Sequence, residues 1–190
     1  MNESSSSKLD IHSTEAMVNL KDAVWHKDSV YPSPTPGEYK RRHEVLREEM
    51  KAQGYDCLIV GGSSNLMSMW SGLVWLTGHM DHRTMAQYVV FPLKGEPTLL
   101  YPMANSHIWS ARAQAKGVQD IRSVRGKAGG FGKMMVTRIK ELGLETGNIG
   151  LTSINMEKWA EFMPANFYLD ITEGLPKANI SFVPKIFHKL

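Results

Sequence analysis

The stretch GYDCLIVGGSSNLMSMWSGLVWLTGHMDHRTMAQYVVFPLKGEPTLLYP, residues 54–102, decides the fold. Its first apolar run, CLIV at 57–60, is uninterrupted, which is typical of a strand buried on both faces of a sheet. Residues 85–93 and 97–101 predict an antiparallel hairpin, because the sequence KGE between them supplies a turn. A polar insert, HMDHR at 79–83, interrupts the apolar pattern. The stretch therefore predicts a sheet with at least one antiparallel pair of strands and a polar loop beside it.

Apolar periodicity and capping residues predict helices on either side of this stretch. Thr35 is placed to cap a helix over residues 36–53, Glu38 stands three residues later as in a capping box, and Gly54 occupies the C-cap position. His43 lies on the apolar side of that helix, and we interpret it as a packed histidine at the edge of the core rather than as a ligand. The same patterns predict further helices over 106–115, 130–142 and 155–163 and further strands over 118–124, 148–152 and 169–172.

The alternation of helices and strands indicates the fold class and the domain organisation. It predicts one α/β domain over residues 35–176, with a mixed β-sheet flanked by helices on both faces. A chain of 190 residues, of which 42% are hydrophobic and 22% charged, suits one such domain. Residues 1–34 are rich in serine at the start and in proline at the end, which predicts a partly flexible N-terminal arm.

Composition narrows the classes of function. The formal net charge is +3 and the basic and acidic residues are interspersed, which argues against a nucleic-acid partner. No segment reaches the roughly 18 apolar residues of a membrane span, and the N-terminus lacks the pattern of a secretory signal, so we expect a cytoplasmic protein without membrane contact. The one cysteine, Cys57, lies inside an apolar run and is interpreted as a small hydrophobic residue. The run GGSSN at 61–65 lacks the glycine spacing of phosphate-binding loops, so nucleotide binding is not expected.

The order of these motifs resembles the N-terminal domain of the creatinase, prolidase and aminopeptidase P family. The matching features are an arginine-containing helix before the sequence GYD at 54–56, the sequence WLTG at 75–78, and the hairpin FPLKGEPTL at 91–99. The resemblance covers about residues 36–176. It implies a creatinase-like α/β fold with a ribonuclease H-like motif, which precedes a second domain of pita-bread fold. Residues 177–190 would then be a linker toward that second domain.

The resemblance places the family's chemistry in the second domain. There, two aspartates, a histidine and two glutamates hold a dinuclear divalent metal such as Mn, Co or Zn in the peptidases, while creatinase-type members cleave a C–N bond without metal. No such ligand set can be assigned in this chain, so we expect neither catalytic residues nor a metal or cofactor in these residues. The implied role is that of a non-catalytic N-terminal domain of a creatinase or Xaa-Pro peptidase-like hydrolase. It would support a homodimer and shape the entrance to an active site for peptides or small amidines. The alternative is a stand-alone peptide-binding or assembly module.

The polar insert is the candidate for contact with the active site of a neighbouring subunit. Arg83 could bind a substrate carboxylate through two hydrogen bonds, His79 or His82 could donate to a carbonyl, and Trp75 could line the same entrance. Two other interpretations stay open. One is an ordinary solvent-exposed hairpin loop in which Asp81 compensates the charge of its neighbours. The other is a separate metal site, for which a fourth ligand is not evident.

Overall fold

A computed structural model describes residues 34–63, 71–79, 86–127, 130–152, 163–183 and 185–189. The expected N-terminal arm, except for its last residue, and the expected helix over 155–163, except for its last residue, lie outside these ranges. The described residues belong to one unit, Pro34–Leu190. Within the described ranges, every helix is too short or too polar to cross a membrane.

Within the described residues, six strands form one mixed sheet in the order β4-β3-β2-β1-β5-β6. Strand β2 is antiparallel to both of its neighbours, and all other neighbouring strands are parallel. Five strands therefore end at the same side of the sheet, which we call the carboxyl end of the sheet, and β2 begins there. The strands are β1 (Cys57–Ser63), β2 (Ala86–Pro92), β3 (Thr98–Tyr101), β4 (Asp120–Ser123), β5 (Asn148–Leu151) and β6 (Asn179–Phe182).

Helices cover both faces of the sheet. Side chains alternate along a strand: Leu58 and Val60 of β1 pack into one core cluster together with the first three helices, whereas Cys57 and Ile59 pack into a second cluster with the last two. The fold class predicted from the sequence, an α/β domain with a mixed sheet flanked on both faces, is confirmed. The helices are α1 (Pro36–Gln53), α2 (Gly72–Thr77), α3 (Ile108–Gln114), α4 (Gly130–Glu141) and α5 (Ala165–Gly174), with short 3-10 helices at Asn105–His107 and Ile186–Lys189.

Helix α1 has the ends that its sequence predicts. The Oγ1 of Thr35 accepts a hydrogen bond from the backbone N–H of Glu38 at 3.2 Å, and Gly54 ends the helix with a left-handed φ of 78°. The carboxylate of Glu38 binds Arg41 and Arg42, at 2.8 and 2.9 Å. Hydrogen bonds from these two guanidinium groups hold the pKa of Glu38 at about 2.

The C-terminal part of the sheet differs from the sequence prediction. Residues 169–172, predicted as a strand, lie within helix α5, and the last strand is instead Asn179–Phe182, which pairs with β5. The four residues Leu169–Thr172, with Leu169 and Ile171 apolar and Asp170 between them, are too few to distinguish a short strand from a turn of helix. The sheet thus continues beyond residue 176, into the segment that the family resemblance assigned to a linker.

Candidate functional site

The candidate site lies at the carboxyl end of the sheet, where His79, the first residue of the polar insert, packs against Tyr101 at the end of β3. Buried polar side chains gather around this end: Gln87 at the start of β2, Ser123 at the end of β4 and Thr152 directly after β5. Ser123 donates a hydrogen bond to the carbonyl of Met103. In an α/β sheet, loops at this end are the usual place for binding.

Helix α2 ends in a hydrogen-bonded turn that leads the chain to the carboxyl end of the sheet. The hydroxyl of Thr77 donates to the carbonyl of Leu73 at 2.8 Å and accepts from the backbone N–H of His79 at 3.0 Å. Gly78 has a φ of 68°, and its N–H donates to the carbonyl of Val74 at 2.8 Å. A Cβ at residue 78 would collide with the hydroxyl of Tyr39. The turn therefore depends on glycine for both conformation and space.

His79 is buried, with 2% of its surface exposed. Its ring meets the ring of Tyr101, the last residue of β3, edge-on at a centroid distance of 5.3 Å and an interplanar angle of 82°. The interpretation of this position as part of a solvent-exposed loop is therefore wrong for His79. The reversal at Gly78 turns the chain back onto the sheet, and the aromatic contact fixes the imidazole there.

Trp75 lies on α2 in a different set of contacts. Its ring is 5.4 Å from the guanidinium carbon of Arg42 and 5.8 Å from the ring of Phe187. Arg42 also lies 5.4 Å from the ring of Tyr39 and donates to the backbone carbonyl of Trp75 at 3.1 Å. Trp75 is half-buried in this cluster, and its described contacts do not include His79. His82 and Arg83, the other two predicted site residues, lie outside the described residues.

His43 links α1 to the same turn. Its Nε2 is 2.9 Å from the carbonyl of Leu76, and its ring meets Phe91 edge-on at 5.1 Å. Burial lowers the pKa of His43, and the hydrogen bond with the carbonyl of Leu76 opposes part of this effect. The positive charge of Arg47 lowers the pKa further, against a smaller opposing effect of Glu96. The interpretation of His43 as a packed histidine is confirmed.

Sequence reasoning missed two residues that support the site, Arg42 and Tyr101. Arg42 reads as one of several charged residues on α1, and only its fold contacts show that it binds the end of α2. Tyr101 reads as a strand residue before a proline. The one available signal was the spacing of Tyr39, Arg42 and His43, which places all three on one side of a helix.

The sequence analysis considered two kinds of ligand, a metal ion and a nucleotide phosphate. Among the described residues, no group of three or more His, Cys, Asp or Glu side chains is arranged to hold a metal ion. The described residues therefore do not fit a dinuclear metal site. Gly61 and Gly62 belong to β1 and pair with Tyr88 and Gln87 of β2, so they form part of the sheet ladder rather than a phosphate-binding loop.

The fold defines the chain as an α/β domain built on a mixed sheet, and comparison with known proteins gives its family. The model of the Creatinase/Prolidase N-terminal domain matches residues 42–190. The chain therefore belongs to the creatinase/prolidase N-terminal domain family, as its motif order indicated. No curated protein sequence matches the chain at a significant level.

Solved structures agree with this family at the level of the fold. The prolidase from Thermococcus sibiricus shares 17% identity with a TM-score of 0.59, over 80% of this chain and 36% of its own. The dipeptidase PepE from Mycobacterium ulcerans shares 19% identity with a TM-score of 0.56, over 82% of this chain and 37% of its own. An aminopeptidase P structure from Streptococcus thermophilus shares 16% identity with a TM-score of 0.55, over 80% of this chain and 96% of its own. The chain thus spans little more than a third of the first and second of these proteins.

Proposed function

We propose that this chain is the non-catalytic N-terminal domain of a cytoplasmic creatinase or Xaa-Pro peptidase-like hydrolase, in which it supports a homodimer and shapes the active-site entrance. The observation that carries the proposal is the family match over residues 42–190, in a chain that spans 36% of the length of a prolidase. The chemistry then belongs to a catalytic domain outside these residues, with a dinuclear Mn, Co or Zn site if the enzyme is a peptidase.

The polar insert at 79–83 would be the part of the domain that shapes the active-site entrance. His79, the first residue of the insert, is fixed by Tyr101 and by its backbone bond to Thr77. The first residue of the insert is therefore held in place against the domain. His82 and Arg83 would contact substrate in a neighbouring subunit, Arg83 through a substrate carboxylate. Trp75, four residues before His79, would line the same active-site entrance.

The first test uses the chain itself. The purified chain, with Mn²⁺ added, should release no proline from an Xaa-Pro dipeptide, and sedimentation velocity should show a dimer. Proline release that persists after a contaminating peptidase is excluded would overturn the non-catalytic role, and a monomer at all concentrations would overturn the dimer.

The second test addresses the entrance. We expect the gene to continue beyond Leu190 into a sequence of pita-bread type, and its absence would favour the stand-alone binding or assembly module instead. In the longer protein, Arg83→Ala should raise KM by about tenfold or more, because a charge-assisted hydrogen bond to substrate is lost. Arg41→Ala is the matched control, since Arg41 pairs with Glu38 on the exposed side of α1. An unchanged KM in Arg83→Ala would refute the substrate contact.

A further inference from the structure

The two outer strands of the sheet differ in charge. Strand β4 carries Asp120 and Arg122, which bind each other at 2.9 Å, and Arg122 also binds Glu141 of α4 at 2.7 Å. Charged side chains on an outer strand discourage the addition of another strand. Strand β6, at the opposite side, has the sequence NISF and no charged residue. Among the described residues, charged side chains therefore protect the sheet at β4 but not at β6.

The backbone of β6 leaves one row of hydrogen-bonding groups directed outward. Asn179 donates its N–H to the carbonyl of Gly147 at 3.0 Å, and Val183 donates to Leu151 at 2.9 Å, so these residues face β5. Backbone groups alternate in direction along a strand, which turns the N–H and C=O of Ile180 and Phe182 away from β5. No strand within the described ranges pairs with that side of β6.

Apolar side chains lie beside this open row. Phe182 is 53% exposed, and its ring lies 5.7 Å from the ring of Tyr168 on α5. Leu169, the next residue of α5, is 52% exposed. We call these three residues the apolar rim. An open backbone row with an apolar rim suits an extended segment that adds to the sheet as a strand.

The charges at the two ends of β6 distinguish between occupants. Lys177 and Lys185 are both exposed and flank the strand. If a second copy of the chain paired antiparallel with Ile180 opposite its Phe182, the end of β6 that carries Lys177 in one copy would lie beside the end that carries Lys185 in the other. Like charges in opposite positions destabilise a strand pair. Two copies avoid that contact only in shifted registers, which pair fewer residues.

We propose that β6 binds an extended segment of another protein, with apolar side chains at alternate positions and acidic residues at its ends. The segment forms a seventh strand through the outward N–H and C=O groups of Ile180 and Phe182. Its apolar side chains cover the rim, and its acidic ends approach Lys177 and Lys185. This interaction goes beyond the proposed hydrolase role and does not depend on it, because it uses the side of the sheet bounded by β6 and none of the residues assigned to the entrance.

The test measures binding of fluorescein-labelled peptides to the full 190-residue chain by fluorescence anisotropy. The peptide DEVTVTVED should bind, and KKVTVTVKK should bind about tenfold more weakly or worse, because two attractive pairs become repulsive. A version of DEVTVTVED with N-methyl groups on alternate residues should not bind, because it lacks the donors for strand pairing. Higher salt should weaken binding of DEVTVTVED.

Variants of the chain locate the site. Phe182→Lys should weaken binding of DEVTVTVED by about tenfold or more, since it removes rim surface and places a charge on the outer strand. Phe182→Thr, which retains a residue that favours strands, gives the same direction of change if the lysine variant fails to fold. Trp109→Lys is the matched control, because Trp109 of α3 is an aromatic residue exposed to a similar extent, 58%. It should leave binding unchanged.

Three results would overturn the proposal. The first is no binding of DEVTVTVED at about 1 mM. The second is equal loss of binding in Trp109→Lys and Phe182→Lys, or equal binding of the N-methylated peptide, since neither fits strand addition at β6. The third is self-association of the chain that Phe182→Lys abolishes and that DEVTVTVED does not compete with, which would identify a second copy as the occupant.

Discussion

Replacement of Gly78 by alanine should destabilise the domain through two separable effects. The residue has a φ of 68°, in the left-handed region that alanine adopts only with strain of about 1–2 kcal/mol. The new Cβ would also collide with the hydroxyl of Tyr39, a side chain that is 4% exposed. Accommodation of an extra group in a packed region costs about 1–3 kcal/mol. Gly78→Ala should therefore lower the free energy of unfolding by about 2–5 kcal/mol.

Gly54 provides a matched control for the conformational part. It also ends a helix with a positive φ, 78°, but a Cβ there would have no heavy atom within 4 Å. Gly54→Ala should thus cost only the strain, about 1–2 kcal/mol. The difference between the two variants measures the collision at residue 78.

A double-mutant cycle assigns that difference to Tyr39. In a Tyr39→Ala background the collision partner is gone, so the further cost of Gly78→Ala should fall to the cost of Gly54→Ala. Urea unfolding followed by circular dichroism measures all the free energies. Equal costs for Gly78→Ala and Gly54→Ala in the unmodified background would refute the reasoning. An undiminished cost in the Tyr39→Ala background would refute the role of Tyr39.

Three further predictions concern titration, reactivity and ion pairing. Burial lowers the pKa of His43 below its usual 6.5, so the unfolded chain binds more protons than the folded chain as pH falls through that value. The urea concentration at the midpoint of unfolding should therefore fall over that pH range, and it should fall less in His43→Gln. Burial raises the pKa of Cys57 to about 12, so a thiol reagent should modify the folded protein at least about 100-fold more slowly than the unfolded protein. Asp120 accepts from Thr98 at 2.7 Å and lies 3.9 Å from Arg138, so Asp120→Asn should lower the free energy of unfolding by about 1–3 kcal/mol in urea titrations.

Each of these predictions has a contrary result. A pH dependence that is identical in His43→Gln would show that another group titrates in that window. Rapid modification of Cys57 in the folded protein would show that the core cluster around β1 opens readily. An unchanged free energy of unfolding in Asp120→Asn would show that the ion pairs between β4 and α4 are no stronger than ordinary surface ion pairs.

Local sequence patterns were sufficient to predict a helix or hairpin whose own residues mark where it begins, turns or ends. Helix α1 was predicted over residues 36–53 because its caps, Thr35 and Gly54, depend on neighbouring residues alone. The hairpin of β2 and β3 was predicted because its turn lies between two apolar runs.

Local sequence patterns failed to predict the structure or burial of residues that depend on contacts with distant parts of the chain. Strand β6 alternates polar and apolar residues over four positions between prolines, and only pairing with β5 makes it a strand. Trp109, a large aromatic residue of the kind that usually lies in a core, is 58% exposed on α3. The burial of His79 depends on Tyr101, which lies 22 positions further along the chain, and no local pattern indicates that contact.

The arginine-containing helix, which the sequence offered only as a family resemblance, has a physical role in the candidate site. The last carbonyls of a helix have no partners within it, and positive charge is favourable there. Arg42 binds the carbonyl of Trp75 and His43 meets that of Leu76, both in the last turn of α2. Tyr39, on the same side of α1, fills the space that the absent side chain of Gly78 leaves. One side of α1 thus fixes the end of α2, and with it the point from which the polar insert begins.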